Sequence, residues 1–313
     1  MKILIELPNW LGDTVMATPA IENLLNHYEN AEITLIGSFA SIELLKNHPK
    51  IFQTKIQNKK YISLYKTSKD LGKFDIFLCF RGSLRSRLFK LLISSRKKYQ
   101  FNKSRCLDIH QVEKYNQFVN ESLGVNYLAD KLILYPDFNS KSLASKPIVG
   151  VNPGASYGSA KRWYPEEFAK VITALSDKYK IVIFGGPSEE NIAYDIESIL
   201  IENNVTNYEN LAGKTSISEL VNIISSLDLF ITGDSGPMHI AANFQIPTVA
   251  IFGPTKDHET SQWMNNRSII VKKNLDCQPC MKRKCPLRHH NCMKLIKASE
   301  VLTAISTISY KQH

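Results

Sequence analysis

Short unbroken apolar runs, each followed by a cluster of turn-forming residues, set the rhythm of this chain. The first is Lys2-Ile3-Leu4-Ile5-Glu6-Leu7, which predicts a strand leading into the loop Pro8-Asn9-Trp10-Leu11-Gly12-Asp13. Helical spacing follows over residues 14–28, with Ile21, Leu24 and Leu25 on one face. Residues 32–36 predict a second strand closed by Gly37, and residues 74–80 another. Strands alternating with helices argue for βαβ units and a parallel sheet.

The pattern restarts in the second half. Residues 148–151 predict a strand ending in Asn152-Pro153-Gly154, and a helix over 165–178 leads to strand 181–184 and its Gly185-Gly186-Pro187 turn. A helix over 216–226 precedes strand 229–232. Gly233-Asp234-Ser235-Gly236 then opens another helix, and strand 248–252 ends at Gly253-Pro254. The polar stretch Ser140–Pro147 between the halves is the natural linker. We therefore expect two Rossmann-like α/β domains facing each other across a cleft, residues 1–145 and 146–313, with room for the last helix to pack back on the first. Ligands in such sheets sit at the carboxyl ends of strands, where these loops fall.

A length of 313 residues suits two domains, and 43% hydrophobic with 22% charged residues excludes a long disordered protein. No run approaches 18 apolar residues, and Glu6 arrives too early for a signal-peptide core, so a cytoplasmic protein is expected. Six cysteines in a reducing compartment make a poor disulfide scaffold. Charge changes the picture more. Between Lys55 and Arg105 there are 15 Lys/Arg against only Asp70 and Asp75, a local excess of +13 in a chain of net charge +10. Such a block implies an anionic partner (phosphate-rich glycolipid, membrane surface or nucleic acid) or else a solvated basic face.

Chemistry concentrates in the loops. In Thr232-Gly233-Asp234-Ser235-Gly236-Pro237-Met238-His239 a strand turns through small residues into a helix, so open N–H groups and the helix dipole suit a diphosphate. Asp234 would repel phosphate and is better placed to accept sugar hydroxyls; the alternative is a helix cap from Asp234 or Ser235. His239 could reach a phosphate oxygen or be a core histidine. The loop from Asn152 to Trp163 carries Lys161 and Arg162, cations able to stabilise a departing nucleoside diphosphate. Asp13 could take a proton from an incoming hydroxyl or cap a helix. Glu189 suits ribose hydroxyls or an exposed helix start. There is no Gly-x-Gly-x-x-Gly after a strand, no P-loop and no Asp-x-Asp pair, which counts against dehydrogenases, P-loop nucleotidases and metal-bound sugar nucleotides. Near the end, Cys277, Cys280, Cys285 and Cys292, with His289 and His290 among them, read either as a structural metal site, zinc before iron–sulfur, or as packed thiols.

In this order the motifs resemble the ADP-heptose:lipopolysaccharide heptosyltransferases, glycosyltransferase family 9. Those carrying the likeness are Asn9 to Pro19, Pro153-Gly154-Ala155 through Lys161-Arg162-Trp163, Leu211 to Thr215, Gly233 to Ala242, and Phe252-Gly253-Pro254-Thr255. The Pro-Gly-Ala…Ala-Lys-Arg-Trp version is similar to the branch that adds a second heptose to the first. The resemblance implies a GT-B fold and an inverting transfer from ADP-heptose to the lipid A–Kdo–heptose core, with no catalytic cofactor and at most a structural zinc. It implies Asp13 as general base and Lys161 as the group holding the departing phosphates. Donor contacts would come from Gly12, Ser156, Glu189, Thr215, Asp234, Ser235, Gly236 and His239, and acceptor contacts from Asn9, Trp10 and Arg85. It gives the basic block a reason, and with it peripheral contact at the cytoplasmic face of the inner membrane and no nucleic-acid partner. The competing expectations are a family member using another nucleotide sugar or acceptor, and a zinc-containing nucleic-acid-binding protein.

Overall fold

Strand β1 (Lys2–Glu6) is the centre of the first sheet in the computed structural model, which describes residues 1–58, 60–105, 108–136 and 146–310. Around it lie β2 (Glu32–Gly37), β3 (Gln53–Ile56), β4 (Lys73–Cys79) and β5 (Ser94–Gln100), all parallel in the order β3-β2-β1-β4-β5. Ile3, Leu4 and Ile5 are fully buried, as strands covered on both faces require. The polar β5, Ser-Ser-Arg-Lys-Lys-Tyr-Gln, takes the sheet edge, where charge discourages further pairing.

The helices of this unit are α1 (Leu11–Met16), α2 (Thr18–His27), α3 (Phe39–Leu45), α4 (Ile62–Leu71), α5 (Leu84–Leu92) and α6 (Gln111–Leu123). The single helix expected over 14–28 is two, broken at Ala17. Pro19, which has no N–H to donate, sits in the first turn of α2 where none is needed. The chain also turns helical earlier than expected, so Asp13 lies inside the first turn of α1 rather than ahead of it.

The second sheet runs β11-β10-β9-β6-β7-β8, again all parallel, from β6 (Ile148–Asn152), β7 (Lys180–Ile183), β8 (Tyr208–Asn210), β9 (Leu229–Gly233), β10 (Thr248–Phe252) and β11 (Ser268–Lys272). Its helices are α7 (Pro165–Leu175), α8 (Glu190–Glu202), α9 (Ile217–Ser225), α10 (Gly236–Asn243), α11 (Asp257–Thr260), α12 (Asn291–Lys294) and α13 (Ala298–Tyr310). Val149, Val151, Ile183, Ile231 and Ile251 of the sheet share one core with Ile172, Ile196, Val301 and Ile305 of the helices. The last helix, α13, thus packs on α7 and β11 and completes the core of its own unit.

The chain divides into Met1–Asp137 and Phe138–His313. Of the expected linker, residues 140–145 lie outside the described residues. Among the described residues no helix is long and apolar enough to cross a membrane. In each sheet the strand order reverses beside the unit's first strand, between β1 and β4 and between β6 and β9. The crevice at the carboxyl ends there is where doubly wound folds hold ligands.

Candidate functional site

At the β6–β9 switch point, Asn152 and Thr232 stand opposite each other in the ladder. Asn152 Nδ2 donates to Ser235 Oγ at 3.1 Å, and Thr232 Oγ1 lies 3.1 Å from the same oxygen. Ser235 occupies the N-cap position of α10 in extended backbone, yet its side chain makes no capping bond. The alternative reading of Ser235 as a helix cap is therefore not realised, and the first-turn amides of α10 receive no bond from its side chain.

Asp234, 5% exposed, accepts from Thr255 Oγ1 at 2.6 Å and pairs with Lys161 Nζ at 2.5 Å. Lys161 also lies 4.7 Å over the Tyr157 ring. A lone ammonium only 12% exposed would be costly; Asp234 and the ring face offset that cost. The result is a cation held beside a helix N-terminus with no net charge. Gly236 is the first residue of α10, and His239 is buried one turn further in.

The remaining donor-side residues are tied to this loop. Glu189 is buried, accepting from Gly186 N at 2.8 Å and Ser156 Oγ at 3.5 Å, so it is not the exposed acid of a helix start. It lies so close under Gly154 that a Cβ there would come within 2.3 Å of its carboxyl carbon. Thr215 is half-buried in the turn before α9, and Gly213 N of that turn donates to Gly185 O at 2.9 Å. The structure thus joins the loops after β6, β7, β8 and β9.

In the first unit, Tyr115 OH of α6 donates to Asp13 Oδ1 at 3.4 Å. Gly12 is buried beside it, and Asn9 and Trp10 are exposed on the preceding loop. Ser41 Oγ and Thr14 Oγ1 fasten that loop through Pro8 O, at 2.6 and 3.3 Å.

At the β1–β4 switch point Glu6, fully buried, accepts from Cys79 Sγ at 3.0 Å and Ser86 Oγ at 3.1 Å, with Arg81 Nη1 at 3.5 Å. Arg81 Nε donates to Leu7 O at 2.6 Å, and Arg81 Nη1 and Arg85 Nη1 both donate to Gln57 Oε1, at 3.0 and 2.8 Å. Arg85 Nη2 also donates to Asn58 O. Gln57 Nε2, Arg81 Nη2 and Arg85 Nε are buried with no protein acceptor. Burial raises the Cys79 thiol well above its ordinary pKa, and the Glu6 charge adds to this. Burial lowers the Arg81 guanidinium, opposed by Glu6.

The resemblance named Arg85, which the structure joins to Gln57, while Glu6, Arg81, Gln57 and Tyr115 were not named as site residues. Only the register that sets Glu6 against Cys79 shows why a carboxylate ends an apolar strand there.

The four clustered cysteines line one cavity with Ala160, Pro254 and His290. Burial, then the neighbouring Cys280, Cys285 and Cys277, push the Cys292 thiol up to about 11. Four thiols and no carboxylate suit a thiophilic metal by donor type. Among the described residues no three of them bring their sulfurs within 4.8 Å of one another, wider than the roughly 3.8 Å edge of a single zinc–thiolate tetrahedron. Cys106 lies outside the described residues, and the other five cysteines are free thiols.

Residues 64–291 match glycosyltransferase family 9 (heptosyltransferase). The chain is 41% identical to the lipooligosaccharide heptosyltransferase 2 of Campylobacter jejuni serotype O:2, over the whole of both chains. It is also similar to the solved structure of the Escherichia coli ADP-heptose LPS heptosyltransferase II, with a TM-score of 0.82 at 22% identity over 100% of this chain and 99% of that one. An E. coli heptosyltransferase crystallised with ADP gives a TM-score of 0.76 at 16% identity over 98% and 100%. The family match and the full-length identity together place the chain in glycosyltransferase family 9, the heptosyltransferases, and its two parallel-sheet units are those of the GT-B fold.

Proposed function

We propose that this glycosyltransferase moves a heptose from ADP-L-glycero-D-manno-heptose to the heptose of the lipid A–Kdo–heptose inner core, with inversion. The observation that carries the reading is the Lys161–Asp234 pair at the open N-terminus of α10. When the donor arrives, its diphosphate takes over Lys161 and the α10 amides. Asp234 is then released to accept heptose hydroxyls. Ser156, Ser235, Gly236 and His239 line the phosphates, Glu189 and the Gly185 turn the ribose, Thr215 the adenine, and Gly12 the donor sugar.

Asp13, oriented by Tyr115, takes the proton from the acceptor hydroxyl as that oxygen bonds to the anomeric carbon. The bond from that carbon to the ADP oxygen breaks, and Lys161 stabilises the charge that collects on ADP. Residues 1–145 bind the acceptor through Asn9, Trp10 and Arg85, joined by Arg81 and Gln57, whose spare N–H groups suit its phosphates and carboxylates. Residues 146–313 bind the donor.

The protein works on the cytoplasmic face of the inner membrane. Ile62 of α4 is 91% exposed and Leu91 of α5 75%, with Lys66 on α4 and Arg87 and Lys90 on α5, a combination suited to anionic lipid. Retention on phosphatidylglycerol vesicles, lost on neutral ones, is the expected result. Family membership displaces the nucleic-acid-binding alternative. Turnover with ADP-heptose against UDP- and GDP-sugars, on a core acceptor bearing one heptose, is the deciding experiment; inactivity with ADP-heptose overturns the reading.

A further inference from the structure

Lysine carries its charge at the end of a flexible stem, so its ammonium keeps one position only where neighbours hold it. A 3₁₀ turn over Ser159–Lys161 folds the Lys161 side chain back toward two such neighbours, the Asp234 carboxylate and the Tyr157 ring. Its further contact with Asp234 O, at 3.4 Å, is long for a hydrogen bond. On the donor-binding reading given above, on which this inference rests, Asp234 turns to the heptose hydroxyls when the diphosphate arrives. The ring face then remains.

Ring and acid are held from a common point. Tyr157 OH donates to Met281 O at 2.7 Å, and Met281 N donates to Pro254 O at 2.9 Å. Pro254 precedes Thr255, whose Oγ1 donates at 2.6 Å to Asp234 Oδ2, the same oxygen that meets Lys161. The contacts close a circuit from Lys161 through Tyr157, Met281, Thr255 and Asp234 back to Lys161. Met281 stands at its far side with φ 54°, a backbone conformation that a non-glycine residue keeps only where its surroundings fix it. The other end of the loop is fixed too. Ala160 N donates to Arg283 O at 3.1 Å, and Gly158 lies so near that a Cβ there would meet the same oxygen at 2.4 Å. When the ion pair opens, Thr255 still holds the acid and Tyr157 still faces the ammonium.

We propose that Tyr157 is a positioning residue for the transfer: its ring keeps the Lys161 ammonium against the donor's phosphates once Asp234 has let go, and Met281 keeps ring and acid at a fixed spacing. The chemistry favours a ring in this place. An aromatic face carries the negative part of a quadrupole, so it attracts a cation without bearing a net charge. A second carboxylate would hold Lys161 equally well and would repel the diphosphate. The ring does the first without the second.

The first test needs no change at Tyr157. In the full chain with labelled lysines, and with the Lys161 signal assigned by its loss in Lys161→Ala, the Cε protons should resonate upfield of the other lysines because they lie over a ring. They should stay upfield at saturating ADP; a move to the ordinary lysine position overturns the proposal. The second test replaces Tyr157 by phenylalanine and by its mono-, di- and trifluorinated forms, which withdraw charge from the ring face in steps at nearly constant shape. Asp234 holds the ammonium in the ligand-free protein whatever the ring, so the loss falls on the bound state. ADP affinity, read by calorimetry, should stay within about threefold for Tyr157→Phe and fall stepwise to about tenfold for the most fluorinated form. A flat series would mean that the ring only fills space, and would sink the inference while Lys161→Ala still weakened ADP. Unchanged ADP affinity in Lys161→Ala would sink the donor-binding reading and this inference with it. Neither readout involves the acceptor, so a failure of heptose transfer alone leaves the inference standing.

Discussion

The two switch points share a topology and treat charge in opposite ways. In the second unit the Lys161 cation is matched directly by the buried carboxylate of Asp234, beside uncapped amides and small residues. In the first, one buried carboxylate, Glu6, meets Arg81, and Arg81 shares the Gln57 oxygen with Arg85, leaving three buried N–H-bearing atoms without a protein acceptor. Arg81 and Arg85 belong to the basic block of residues 55–105. A compact diphosphate needs only one exchangeable cation and backbone amides. A bulky acceptor carrying several acidic groups needs positive charge over a wide surface. The contrast teaches that one fold can be set for exchange in one half and for surplus in the other.

The strongest way to break that division is Asp13→Ala. If the first unit supplies the base and the second the donor site, kcat falls by about 10³–10⁴ while ADP affinity holds. Calorimetry showing a comparable loss of ADP affinity would contradict the base assignment. If Lys161 acts on the leaving group, Lys161→Ala should lower kcat by about 10²–10³ and weaken ADP as well; an unchanged rate removes it from the site.

Asp234→Asn sharpens the exchange idea. It leaves the Lys161 ammonium buried beside a neutral amide, at a cost of roughly 3 kcal/mol in the ligand-free protein. ADP supplies the missing anion, so its stabilising shift in thermal unfolding should exceed that of the unaltered chain. A smaller shift would mean that the pair does not open to the diphosphate. On the other side, Arg85→Ala should raise the acceptor KM about tenfold with little change in ADP affinity, the loss of one charged hydrogen bond.

Much of this was legible in the sequence because βαβ units announce themselves. Apolar runs such as Ile3-Leu4-Ile5 and the small-residue loops after Asn152 and Gly233 pointed to parallel sheets with ligand loops at their carboxyl ends. Polar edge elements did not. Ser94–Gln100 has no apolar face, and its place as β5 is set by pairing with β4. The ion pair between Lys161 and Asp234 spans 73 positions and depends on the order in which strands lie, which periodicity does not carry. Pro19 shows the local version of the same limit: it marked a helix start inside what read as one continuous helix. Arg85 was named only through a family likeness, and its partner Gln57 follows β3, a strand whose Gln-Thr-Lys-Ile sequence gives little apolar signal.

The smallest expected effect separates charge kept for ligands from charge kept for the fold. Glu167 of α7 accepts from Ala298 N at the start of α13 at 2.8 Å and pairs with Lys170 at 3.0 Å. Burial alone would raise its pKa, but the Ala298 N–H and Lys170 outweigh it, and the carboxyl lies below its ordinary 4.5. Because the folded value is the lower one, this stabilisation is complete above about pH 4.5 and is lost as pH falls through the folded value. Glu167→Gln should therefore cost about 1–2 kcal/mol in denaturant unfolding near pH 7. The gap to the unaltered chain should narrow steadily in acid, with ADP affinity the same in both. A gap that stays constant to low pH would show that lost packing, rather than the carboxylate's bond to α13, is the source.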